Sequence, residues 1–135
     1  MPGMVTTYLD PELRAELVSH SHAALPEEAC GLLLGAGDQP VEVVALPNLA
    51  RRPECSYTID PLDYLRAERD AERLGRWVMG VWHSHPGARA VPSETDRDAA
   101  WEGWLYVIVG FPEDANAELR GWRLQGDRFL EEELS

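Results

Sequence analysis

The residues of this 135-residue chain best suited to chemistry form one short run, His83-Ser84-His85-Pro86, followed after six more residues by Ser93-Glu94-Thr95-Asp96. On an extended backbone the side chains of residues i and i+2 leave the same face. His83 and His85 can therefore aim at one ion, which needs two ring nitrogens roughly 2.0–2.1 Å away, and the following loop can return Asp96 as a third ligand. Two neutral imidazoles and one carboxylate leave a divalent zinc with about one net positive charge and an open position, the arrangement of a catalytic site. Hydrolysis at such a site also needs a carboxylate that moves a proton without itself binding the metal. Glu27 and Glu28, at the entry to the apolar run 29–34, are the candidates. On a strand they face opposite ways, so only one can serve, and spacing alone does not choose between them. A second His-Ser-His, at His20-Ser21-His22, is an internal control. Residues two apart on a helix point about 200° from each other and cannot clamp one ion. That pair is expected to face solvent and complement the negative end of a helix.

The elements that must position these residues can be read along the chain. Asp10-Pro11-Glu12 and Asp60-Pro61 each supply a capping acid followed by a proline suited to the first helical turn, predicting helices over about 10–24 and 61–74. Short apolar or alternating runs predict strands at 29–34, 41–46, 55–59, 76–85, 104–111, 118–125 and 129–133, with a short helix beginning near Ser93. The last three strands are joined by turns such as Pro112-Glu113-Asp114 and Gly126-Asp127, too short for helical crossovers, so the sheet should be mixed and flanked by helices. The expected fold class is α/β, in one domain spanning 1–135 with no repeat, linker or low-complexity segment.

Composition removes several function classes. Net charge is −12, with 24 acidic residues against 12 basic ones, which disfavours nucleic-acid binding because that usually rests on a basic surface. All twelve basic residues are Arg, so no lysine is present for a Schiff base or a phosphate-binding loop. The apolar runs fall far short of the roughly 20 residues of a membrane-spanning helix. Two cysteines are too few for a disulfide framework, and no signal peptide precedes them, so a cytoplasmic protein is expected, with Cys30 a buried apolar side chain. The five tryptophans are read mostly as packing residues, an exposed one being suited to a substrate groove.

The combination Glu28-Ala-Cys-Gly-Leu-Leu, His83-Ser-His-Pro and Ser93-x-x-Asp96 resembles the JAMM/MPN+ zinc metalloprotease family, and the likeness extends through Leu46-Pro-Asn48 and Tyr57-Thr-Ile-Asp60-Pro61 to cover about residues 10–125. The resemblance implies the cytidine-deaminase-like MPN fold. It also implies zinc bound by His83, His85 and Asp96, with Glu28 as general base and Ser93 supporting the oxyanion of a peptide or isopeptide hydrolysis. Short bacterial members are similar in size and are linked to ubiquitin-like sulfur-carrier proteins, releasing a group such as cysteine from the carrier's C-terminal Gly-Gly. A carrier of that kind is the expected partner, its tail adding as a strand beside residues 55–59. Two other readings carry different expectations. A non-catalytic MPN scaffold would have lost the zinc ligands, all of which are present here. A RadC-like DNA-repair protein would bring a helix-hairpin-helix segment and a basic surface, neither of which is found. Ser93 has a second reading, because Ser-Glu-Thr-Asp also forms a helix capping box, and Asp96 is not expected to close that box and hold zinc easily at once.

Overall fold

Asp10 and Asp60 each accept the backbone N–H two residues on, at 2.7 and 2.9 Å, and each is followed by a proline whose fixed φ suits the first helical position. These caps start α1 (Pro11–Ala24) and α2 (Pro61–Arg73) as the sequence predicts. The computed structural model describes residues 6–113 and 116–135. Asp114 of the expected turn lies outside them. The strands are β1 (Thr6–Thr7), β2 (Cys30–Ala36), β3 (Gln39–Leu46), β4 (Trp77–Pro86), β5 (Leu105–Phe111), β6 (Glu118–Gln125) and β7 (Arg128–Leu134), with a third helix, α3 (Glu94–Ala99), after β4. They form one mixed sheet in the order β1-β7-β6-β5-β4-β2-β3, parallel only at β4–β5 and β1–β7.

The alternation of β2 supplies a core on each side of the sheet. Leu33 faces α1 and packs with Leu13, Leu17, Met79 and Trp82, whereas Leu32 and Leu34 face α2 and pack with Ala71 and Val78. Each fully buried leucine contributes roughly 1.5–3 kcal/mol of transfer free energy. Trp82 is wholly buried because Gly31 leaves room for it. A Cβ at Gly31 would fall 2.7 Å from the indole nitrogen, which donates to the Val44 carbonyl at 3.1 Å. No helix among the described residues is long and apolar enough to cross a membrane.

Two elements differ from expectation. Residues 55–59 are not a strand. The Asn48 side chain replaces the ladder there: its Nδ2 donates to the Ser56 carbonyl and its Oδ1 accepts the Thr58 N–H, both at 3.0 Å, beside a single backbone bond from Leu49 to Thr58. β1 was not anticipated, since two residues carry no period, and it forms only by pairing with β7 at the opposite end of the chain.

Candidate active site

The parallel pairing of β4 with β5 carries His83 and His85 to the C-terminal end of β4, on the face that Val81 presents to α2. The next loop turns back over β5 because Gly110 has no side chain: a Cβ there would lie 2.5 Å from the Ala90 nitrogen. That close approach brings the Arg89 carbonyl to 3.0 Å from His85 Nδ1. A carbonyl only accepts, so Nδ1 carries the proton and Nε2 is left with its lone pair.

Three ligand atoms converge. His83 Nε2 and His85 Nε2 are 3.1 Å apart, and Asp96 Oδ2 lies 3.1 Å from the first and 3.0 Å from the second. Asp96 is held by α3, whose capping box is closed in both directions. Ser93 Oγ accepts the Asp96 N–H at 3.0 Å, and the Ser93 N–H donates to Asp96 Oδ2 at 2.9 Å. The box is closed while the same carboxylate oxygen faces the two imidazoles. One carboxylate oxygen has two lone-pair directions, and Oδ2 spends one on the cap while facing both imidazoles.

Glu28 is delivered by β2. Cys30 stands opposite His83 in the antiparallel β2–β4 register, and the Ala29 N–H donates to Ser84 Oγ at 2.8 Å. Glu28 is buried on the side of the histidines and Glu27 is exposed, so of the two only Glu28 stands beside the cluster. The Glu28 carboxylate lies within 4.8 Å of the ring nitrogens of His83 and His85, and its Oε1 is buried with no hydrogen-bond partner among the described residues. Burial pushes its pKa up to about 7, with His85 opposing and Asp96 reinforcing the shift. Burial also pushes His83 down, outweighing the Asp96 hydrogen bond, so that imidazole stays neutral. Burial opposes charge on His85 as well, but Asp96 and the Arg89 carbonyl, accepting from its ring, prevail and raise it. Desolvation would raise Asp96, yet the two imidazoles and the Ser93 N–H hold it far below the usual carboxylate range.

The donor chemistry fits a metal. Two imidazole nitrogens and an ionised carboxylate oxygen, crowded to about hydrogen-bond distance, form a set that a divalent transition ion takes. His20 and His22 are exposed on α1, as the helical spacing predicts. Cys30 is buried, and its thiol is pushed up to about 12 by burial and then by Glu28. Three residues near the site were not singled out by sequence reasoning. Ser84, wholly buried, points to the opposite face from its histidine neighbours and pins β2. Asn48 ties the 56–58 segment to the Glu28 carbonyl at 3.0 Å. Tyr57 stacks on His83 with ring centroids 4.5 Å apart. A small polar residue at the middle of an apolar strand was the available signal for Ser84; Asn48 and Tyr57 were marked only by their place in the family-like runs Leu46-Pro-Asn48 and Tyr57-Thr-Ile-Asp60-Pro61, which assigned them no role.

A groove of about 600 Å³ opens beside this cluster, lined mainly by Leu32, Tyr57, Tyr64, Val81, Trp101 and Trp104. Trp101, 70% exposed, is held at its rim by its backbone N–H, which donates to the Tyr106 hydroxyl at 2.8 Å.

Comparison with known proteins agrees with this geometry. The family described as prokaryotic homologs of the JAB domain matches residues 10–125. The chain is 33% identical over 130 residues to a desampylase of Haloferax volcanii, covering 91% of each chain. It is 32% identical over 130 residues to the CysO-cysteine peptidase of Mycobacterium tuberculosis, covering 91% of this chain and 88% of the relative. A JAB1/MPN domain protein of Archaeoglobus fulgidus superposes with a TM-score of 0.62 at 25% identity, over 98% of this chain and all of the other. With its mixed sheet, its converging His-x-His and Asp side chains and its buried glutamate, the chain belongs to the prokaryotic JAB-domain branch of the JAMM/MPN+ peptidases.

Proposed function

We propose that this protein is a zinc-dependent hydrolase that cleaves the bond after the C-terminal Gly-Gly of a small ubiquitin-like or sulfur-carrier protein, releasing the attached group. The observation that carries the reading is the triangle of His83 Nε2, His85 Nε2 and Asp96 Oδ2 with an unpartnered, buried Glu28 carboxylate beside it. His83, His85 and Asp96 would hold the zinc, which would supply Lewis acidity for amide hydrolysis at neutral pH. Glu28 takes a proton from the attacking water and hands it to the leaving amine; its raised pKa, about 7, suits both directions of transfer. Ser93 Oγ already accepts from the Asp96 N–H, so its own O–H is free to donate to the tetrahedral oxyanion.

Substrate class follows from the surroundings of the site and from the relatives. The groove borders the cluster through Tyr57, which lines it and stacks on His83, and an extended tail suits an approach from that side. Two glycines let a backbone come close to a metal without side-chain clashes. The outer edge of segment 56–59, whose inner edge is tied to residues 48–49, offers backbone groups to such a tail. Relatives named desampylase and CysO-cysteine peptidase support a carrier conjugate as the substrate. The two cysteines, both free, suit a cytoplasmic location.

The test is mass spectrometry of a sulfur-carrier protein bearing a C-terminal amino-acid adduct. The adduct is expected to be released by the zinc-loaded protein and retained with Glu28→Gln. A carrier whose penultimate Gly is changed to Val should be cleaved more slowly. Equal cleavage of the Val tail overturns the close-approach argument, and equal cleavage by Glu28→Gln overturns the mechanism.

A further inference from the structure

An imidazole that binds a metal through one nitrogen is ordinarily oriented by a hydrogen bond from the other, and loss of that partner typically costs 10–100-fold in affinity. The two histidines of this site differ in that respect. His85 Nδ1 donates to the Arg89 carbonyl at 3.0 Å. His83 Nδ1 is buried and finds no hydrogen-bond partner among the described residues. Yet His83 is the more enclosed of the two, at 1% exposure, and its Nε2 sits within 3.1 Å of both other ligand atoms. Its ring must be held by contact.

The contact is aromatic. The Tyr57 ring lies over the His83 imidazole, with centroids 4.5 Å apart and planes inclined by 23°, a stacked arrangement. The His85 ring meets it edge-on at 4.9 Å and 60°. Tyr57 stands in a segment without regular structure, so its own position needs an anchor, and Asn48 supplies one on each side of it. The Asn48 amide donates to the Ser56 carbonyl and accepts the Thr58 N–H. It also accepts the Ala50 N–H and donates to the Glu28 carbonyl, each at 3.0 Å. One saturated side-chain amide thus joins the backbone of the general-base strand to the residue that covers a metal ligand.

We propose that Tyr57, clamped by Asn48, is the positioning residue for His83, its ring face taking the place of the absent hydrogen bond at Nδ1. Tyr57 acts through His83 and touches no reacting atom in this role. The face of the ring matters and the hydroxyl does not, so Phe serves as well as Tyr. This rests on His83 being a zinc ligand.

The experiment is competitive zinc titration against a chromophoric chelator, using wild type, Tyr57→Phe, Tyr57→Leu and Leu65→Ala, the last being a half-exposed residue lining the same groove. Phe and the Leu65 variant are expected to bind within about 3-fold of wild type, while Tyr57→Leu, which keeps apolar bulk but loses the flat ring, should bind about 10–100-fold more weakly. Wild-type affinity in Tyr57→Leu, or Tyr57→Phe as weak as Leu, overturns the proposal. A second measurement needs no variant. In the NMR spectrum of wild type the His83 ring protons should be shifted upfield of those of His85 by the Tyr57 ring current, and unshifted His83 protons overturn the stacking. Absence of zinc binding by wild type would instead strike the proposed function.

Discussion

Ser84 and Ala29 exchange two hydrogen bonds where β2 meets β4: the Ala29 N–H donates to Ser84 Oγ at 2.8 Å, and the Ser84 N–H donates to the Ala29 carbonyl at 3.0 Å. The pair joins the residue between the two histidines to the residue after Glu28, and so sets the distance between the Glu28 carboxylate and the two imidazoles. Ser84→Ala leaves the Ala29 N–H buried without a partner, which costs about 1–3 kcal/mol. Urea unfolding should show that loss with an unchanged m-value. Turnover should fall while zinc content holds, because the ligands on the other face keep their positions.

Zinc content separates ligands from bystanders. His83→Ala and Asp96→Ala each remove one corner of the triangle and should lower the zinc bound per chain, whereas His20→Ala, exposed on α1, should not. Elemental analysis of the purified variants decides the matter, and equal zinc in all three would remove the assignment.

The two neighbouring glutamates should behave oppositely. Glu28→Gln keeps the shape of the buried side chain but cannot take a proton, so turnover should fall on the order of 10²-fold or more with zinc retained. Glu27→Gln alters an exposed side chain and should stay active. An inactive Glu27 variant would place the strand register one residue out.

Glu28 also carries a pH signature in the metal-free protein. Its native pKa of about 7 exceeds its ordinary value of 4.5, so protonation favours the folded state. That favourable contribution is complete below pH 4.5 and is lost as pH rises through 7, a span worth about 3 kcal/mol. Chelator-treated Glu28→Gln, which does not titrate, should therefore melt higher than chelator-treated wild type at pH 8, and the gap should close toward pH 4.5. A gap independent of pH between these limits contradicts the assignment.

Ser93 caps α3 and is proposed to serve the oxyanion, and two substitutions tell the roles apart. Removing the N-cap costs about 1 kcal/mol with Ala but only a few tenths with Gly, whereas both substitutions delete the hydroxyl. If the hydroxyl serves the oxyanion, Ser93→Gly and Ser93→Ala should both lose roughly 10²–10³-fold in turnover with zinc retained. Full turnover in Ser93→Gly would leave Ser93 as a cap alone.

The family and the candidate cluster were legible in the chain because the candidate ligands sit on local geometry. His83 and His85 share a strand face by the period of two, and Ser93 to Asp96 is a self-contained capping box. Both helices announced themselves through an aspartate followed by proline, since those signals act within one turn. What tertiary structure decided were the relationships between distant segments. Which of Glu27 and Glu28 turns inward depended on how Ala29 docks onto Ser84, 55 residues away. Residues 55–59 alternate like a strand, but the Asn48 amide claims their backbone groups first, and no local period reveals such a competitor. That Oδ2 of Asp96 can cap a helix and face two imidazoles together, and that Tyr57 lies across His83, are facts of three-dimensional convergence. Sequence spacing determines which side chains leave a segment together; only packing determines what they meet.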